Sequence, residues 1–241
     1  MERNLLFSAV VGSHNYGLND ENSDVDRKEF YIPTFHDLVH KTNFEKSITS
    51  NDVDVEIKDV RSLINLFSKS NASYIEVLFS EQVGTTVETG RFFKKLYALR
   101  HDIARMNLPR LLACCLGMAL SSLKEADKIN NSVADANLKT PGKSLMKAYR
   151  VLDLFIRFYI GGFEDFGGAV YYSESERSTL LDIKNNKTPY EDALEMIKQK
   201  EKIVLELRES IADFHNPGHF EETKKKIELI VEEVIREFLM H

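Results

Sequence analysis

The chain has 241 residues, 43% of them hydrophobic and 29% charged, with a formal net charge of −6. That length suffices for one large domain or two small ones with a buried core. No apolar run approaches the roughly twenty residues a membrane-spanning helix needs, and the acidic balance excludes a general polyanion-binding surface while leaving room for a local basic one.

The N-terminal MERNLLFSAVVGS carries Glu2 and only a short apolar run, so it reads as a first strand and not as a signal peptide. Residues 4–12 form a buried strand ending in β-branched Val10 and Val11. Residues 13–24 are polar and rich in turn formers, and residues 24–32 begin a second strand that Pro33 closes. TFHDLVH follows as a short helical turn capped by Thr34. Residues 52–58 alternate without exception, with Asp52, Asp54 and Glu56 on one face and Val53, Val55 and Ile57 on the other, the period of a half-buried strand. The apolar spacing of Val60, Leu63, Ile64 and Phe67 predicts a helix from Val60 to Ser68, and SNASYIEVLF starts another, capped by Ser70 or Asn71.

From about Gly90 onward helical periods replace strand patterns. Helices are predicted over 91–101, 104–129, 139–160, 173–184, 189–213 and 220–240. The expected architecture is α+β: a mixed sheet with helices in residues 1–88, then an all-helical domain in residues 89–241. Cys114 and Cys115 are adjacent in an apolar helical segment and lack metal-ligand spacing. They read as small core residues of a protein in a reducing, cytoplasmic setting.

The chemistry concentrates near the first two strands. On a strand, Asp24 and Asp26 point to one side about 6–7 Å apart and repel unless a cation lies between them. A divalent ion with oxygen preference is the simplest candidate. A third carboxylate is available on the other acidic strand, at Asp54 or Glu56. Three carboxylates from adjacent strands can hold two Mg²⁺ ions for in-line phosphoryl or nucleotidyl transfer. The Gly12-Ser13 turn supplies backbone N–H groups and a hydroxyl that can approach phosphate oxygens.

Gly12, Ser13, Tyr16, Gly17, Ser23, Asp24, Asp26 and the following Arg27-Lys28 carry a resemblance to the DNA polymerase beta-type nucleotidyltransferases. Within them the chain is most similar to the RNA-repair pathway DNA polymerase beta family. Asp54, the helix from Val60, and NASYIEVLF with Asn71 and Glu76 extend the likeness, although Ala72 stands where that family tends to have proline. The resemblance implies a minimal nucleotidyltransferase domain in which Asp24 and Asp26 bind metal and Asp54 is the third carboxylate, with Glu56 as second choice. It covers residues 8–80 with specific motifs and continues more weakly. Lys143, Lys147 and Arg150 match a Lys-x-x-x-His-x-x-Arg helix of the family with lysine in the histidine position, and LLDIKNNKTPYEDAL at 180–194 has the family's look.

On the helix from 139 to 160, Lys139, Lys143, Lys147, Arg150 and Arg157 fall on one face. Lys143 and Arg150 are the candidates for neutralising pyrophosphate or guiding an acceptor strand. His14 reads as a solvated loop histidine, Tyr16 as a residue that either stacks on a base or pins the loop, and the lysine run 224–226 as a solvated face. The expected reaction moves an NMP from an NTP, with ATP favoured, to a hydroxyl. Catalysis is assigned to Asp24, Asp26 and Asp54, and nucleotide binding to Gly12, Ser13, Lys143 and Arg150. Mg²⁺ is the expected metal, with Mn²⁺ as a substitute, and an RNA end such as tRNA is the expected acceptor. A toxin/antitoxin-type enzyme acting on a protein and a non-catalytic nucleotide-binding module are the alternatives. No membrane partner is expected, and the oligomeric state is left open.

Overall fold

The computed structural model describes residues 3–21, 23–50, 52–131, 140–211, 214 and 216–240. The chain divides into two compact units, one built from residues 1–107 with 216–241 and the other from residues 108–215. The expected α+β class holds: a mixed sheet with helices comes first and a helical region follows.

In the first unit a five-stranded sheet runs in the order β3-β4-β2-β1-β5. Strand β1 (Leu5–Val11) is buried at six of its seven positions, which its continuous apolar run requires of an internal strand. It pairs antiparallel with β2 (Val25–Tyr31) on one side and with the short β5 (Val83–Gly84) on the other. Strand β4 (Val53–Asp59) pairs parallel with β2, so the chain must cross over between them. It does so through α2 (Phe35–Val39) and the edge strand β3 (Glu45–Thr49). The sequence patterns leave β3 and β5 unpredicted. All five β3 residues are exposed, so no buried face marks the strand, and β5 is only two residues long.

The register stacks three rows on one face of the sheet. Val11 lies beside Asp26 and Asp54, Ala9 beside Lys28 and Glu56, and Phe7 beside Phe30 and Lys58. Phe7 and Phe30 stack with ring centroids 4.8 Å apart, and Phe93 joins Phe7 at 5.0 Å. The face is therefore apolar and closed at one end and acidic at the other. Thr34 caps α2 as expected, in a reciprocal box with Asp37. Asp37 is 1% exposed and accepts two bonds from Arg3, at 2.9 and 2.7 Å. This guanidinium holds the Asp37 carboxyl well below the usual carboxylate range.

Helix α1 (Ser13–Tyr16) is a single turn, and α3 (Ser62–Ser68) and α4 (Ala72–Ile75) follow β4, α4 running into a 3₁₀ turn over Glu76–Phe79. Asn71 caps α4 through its side chain. Helices α5 (Gly90–Ala98) and α6 (Arg100–Arg105) complete the segment. The last helix of the chain, α13 (Pro217–Leu239), packs on α3 and α5 through Ile227, Ile230, Val231 and Val234. Lys95 and Glu233 bridge α5 and α13 at 2.6 Å. Helices α5, α6 and α13 thus belong to the same compact unit as the sheet. The lysine run 224–226 lies on α13, where Lys224 and Lys226 pair with Glu228 and Glu222 one turn away, as a solvated face does.

The second unit contains α7 (Leu108–Asn131), α8 (Gly142–Ile160), α9 (Phe166–Val170), α10 (Ser178–Lys184), α11 (Tyr190–Glu206) and α12 (Arg208–Ile211). Helix α8 is its axis and packs against α7, α9, α10 and α11. Its start is set by Gly142, whose N–H donates to Asn186 Oδ1 at 3.0 Å and whose Cα faces the Ile183 and Lys184 carbonyls too closely for a side chain. Neither Cys114 nor Cys115 of α7 is in a disulfide, and burial pushes the Cys115 thiol up. Among the described residues no helix is long and apolar enough to cross a membrane.

Candidate metal centre

The acidic end of the sheet is built by three local devices. The first is the turn after β1. Gly12 sits at φ 71° and ψ −147°, a conformation essentially confined to glycine. Its carbonyl accepts from the N–H groups of Asn15 and Tyr16 at 3.0 and 3.1 Å, closing α1. Gly17 ends that turn at φ 70°, with its N–H on the Ser13 carbonyl. A methyl group at Gly12 would lie 2.1 Å from Asp26 Oδ2, so the turn rests directly on the carboxylate.

The second device is the loop into β2. Ser23 Oγ donates to Asp20 Oδ1 at 3.1 Å and accepts from the Asp20 N–H at 2.9 Å, which delivers Asp24 at the strand's mouth. The third is the parallel pairing of β2 with β4, which puts Asp54 directly beside Asp26. Each of Asp24, Asp26 and Asp54 then offers a carboxylate oxygen within 4.8 Å of the other two.

Three carboxylates this close carry a repulsion that a divalent cation would offset. The donor set is all oxygen, as Mg²⁺ and Mn²⁺ prefer. Asp54 Oδ1 is shielded from solvent and has no hydrogen-bond partner, leaving a desolvated anionic oxygen open to an ion. These residues fit a divalent metal centre.

Glu56, the second choice for the third carboxylate, is held elsewhere. Its Oε1 accepts from Tyr74 Oη and lies 3.3 Å from Lys58 Nζ, and its Oε2 lies 3.9 Å from Lys28 Nζ. Lys28 is 8% exposed, donates to the Ser73 carbonyl, and sits 4.1 Å over the Tyr74 ring. Burial lowers the Lys28 pKa against the pull of Glu76, Glu56 and Asp26. Burial together with the Glu56 bond drives the Tyr74 phenol far up. Glu76 is itself 3% exposed. Sequence reasoning gave Lys28 and Tyr74 no role in the site, although Lys28 continues the two-residue step of Asp24 and Asp26 along β2.

The other candidates fall as follows. Ser13 opens α1 beside Gly12. Tyr16 is 9% exposed, which fits pinning the loop and not stacking on a base. His14, expected to be solvated, has its Nε2 shielded from solvent without a hydrogen-bond partner. Lys143 and Arg150 belong to the second unit, on α8. Lys143 and Lys147 are exposed there, Arg150 is 7% exposed, and Arg157 donates to the Gly168 and Tyr171 carbonyls at 2.9 Å. The basic positions of α8 are therefore not one solvated stripe. Lys139 lies outside the described residues.

No protein of curated function matches the chain. The model of the RNA repair pathway DNA polymerase beta family matches residues 1–151. That match spans the Gly12-Ser13 turn, all three aspartates and the helices up to the first half of α8. On this match, more than half of its length, and on a mixed sheet followed by helices, the chain belongs to the RNA repair pathway DNA polymerase beta family.

Proposed function

We propose that this protein is a metal-dependent nucleotidyltransferase that moves a nucleoside monophosphate from an NTP to a hydroxyl, with an RNA end such as tRNA as acceptor. The observation that carries this reading is the convergence of Asp24, Asp26 and Asp54 within 4.8 Å, against a Gly12 turn that leaves no room for a side chain. Family membership supports nucleotidyl transfer and RNA repair as its setting. Two cysteines outside any disulfide support a reducing, cytoplasmic location.

Asp24 and Asp26 would hold two Mg²⁺ ions, or Mn²⁺ in their place, with Asp54 completing the set. The metals would supply charge neutralisation and polarisation of the phosphate and acceptor oxygens. Gly12 and Ser13 offer a backbone amide and a hydroxyl to the β- and γ-phosphates. The acceptor oxygen attacks the α-phosphorus, the bond to the pyrophosphate oxygen breaks, and Asp54 takes the acceptor proton. Lys143 and Arg150 are assigned to pyrophosphate or acceptor strand. ATP is the first nucleotide to try.

The test is incubation with each α-³²P-labelled NTP, Mg²⁺ or Mn²⁺, and a pool of tRNA, other RNA and protein, beside an Asp24→Asn/Asp26→Asn variant. Label on RNA with the wild-type chain alone is the expected result. Label on protein would replace the acceptor assignment with protein modification. Nucleotide binding without any transfer would leave a binding module in place of an enzyme.

A further inference from the structure

We propose that Lys28 and Tyr74 hold Glu56 out of the carboxylate cluster and so keep the centre weak for free metal, leaving it to fill together with the nucleotide. The inference rests on the metal centre proposed above and assigns its regulation to two positioning residues.

Glu56 follows Asp54 by two residues on the same face of β4, a step of about 6–7 Å. A glutamate at that distance can turn its carboxylate toward the ion that Asp54 would bind. A fourth carboxylate would raise the charge of the donor set from −3 to −4, the main lever by which oxygen sites gain divalent affinity. The structure instead commits both Glu56 oxygens. Tyr74, on α4, reaches Oε1 with its hydroxyl, and Lys28, paired with Glu56 across β2 and β4, faces Oε2 at 3.9 Å.

Lys28 also acts through its own charge. Its ammonium is anchored on the Ser73 carbonyl and on the Tyr74 ring, so it cannot swing away from the sheet. It stands one strand step from Asp26, where it opposes a divalent ion at the cluster. Lys58, on the next step of β4, is shared between Glu45 of β3 and Glu56 and cannot serve as the same fixed counter-charge. Glu76 balances Lys28 from the other side, which lets a buried lysine persist there. A centre limited in this way gains its missing negative ligands when phosphate oxygens arrive.

The test is titration of the full chain with Mn²⁺ in the absence of nucleotide, read by electron paramagnetic resonance of the free ion. Asp26→Asn identifies the binding that belongs to the cluster. Lys28→Met is expected to tighten that binding about tenfold or more, since it removes a like charge and frees Glu56 Oε2. Lys28→Arg keeps the charge and should stay near wild type. Adding Glu56→Gln to Lys28→Met should remove part of the gain. Tyr74→Phe removes one hydrogen bond from Glu56 Oε1 without removing charge and should tighten binding about threefold, the worth of a modest hydrogen bond. Circular dichroism checks each fold. If Lys28→Met does not fold, Tyr74→Phe decides. Wild-type or weaker Mn²⁺ affinity in the folded Lys28→Met and Tyr74→Phe variants overturns this inference alone. Equal Mn²⁺ binding by wild type and Asp26→Asn overturns the metal centre, and the inference with it.

Discussion

Replacing Gly12 by alanine tests how the centre is assembled. Two costs add. At φ 71° and ψ −147° an alanine pays backbone strain of about 1–3 kcal/mol. Its methyl would also fall 2.1 Å from Asp26 Oδ2, 2.9 Å from Cγ and 3.0 Å from Cβ. Rotating the carboxylate relieves only the first two contacts, because Cβ is fixed to β2. Carboxylate and methyl must separate by roughly 1 Å, and overpacking of that kind costs about 1–3 kcal/mol more. Gly12→Ala is thus expected to destabilise the protein by about 2–6 kcal/mol. It should also weaken nucleotide-free Mn²⁺ binding at least about tenfold, because the displaced group is a ligand. Urea unfolding of a cycle with Asp26→Ala separates the two costs. In the Asp26→Ala background Oδ2 and Cγ are gone and only the 3.0 Å Cβ contact remains, so Gly12→Ala should lose the backbone share and a smaller part of the clash, a coupling of about 1–2 kcal/mol. Equal destabilisation in both backgrounds, with Mn²⁺ affinity unchanged in Gly12→Ala, would refute the argument that this turn shapes the carboxylate.

Two further variants probe the units away from the cluster. Asp37→Asn should cost about 2–3 kcal/mol at pH 7, measured by urea unfolding, because a buried carboxylate with a paired guanidinium is lost. The folded Asp37 pKa lies below its unfolded value near 3.9, so its contribution is complete above about pH 5 and is lost as pH falls through the unfolded value toward the lower folded one. The stability gap between wild type and Asp37→Asn should therefore narrow between about pH 5 and pH 3. In the second unit Asp153 accepts from Tyr172 Oη at 2.7 Å and Lys200 Nζ at 2.6 Å, with little of either charged side chain exposed. Asp153→Asn should destabilise by about 3 kcal/mol, and adding Lys200→Met should recover part of it, since the unpaired ammonium is the larger penalty.

How much of this was legible in the sequence depends on whether a residue's partners are local. Strand β1, the alternation of β4 and the Thr34 cap follow from patterns within a few residues, and each is where the sequence puts it. Asp24 and Asp26 needed only the two-residue step of a strand to be placed together. Choosing Asp54 over Glu56 was different. Both lie on the same face of β4, and periodicity alone treats them alike. What separates them is a parallel register with β2 and a tyrosine eighteen residues downstream, and neither leaves a local mark.

The same reasoning explains the basic stripe. A helical wheel places Lys143, Lys147 and Arg150 together but cannot report what the second unit packs against each position. Arg150 is enclosed on a helix surrounded by four others, while the two lysines remain exposed. An arginine enclosed in a helical core is a different chemical group from a solvated lysine, even one turn away. Buried charges paired across distant segments, Lys28 above all, are where this fold departs from its sequence patterns. The regulation proposed for the centre rests on such a pair.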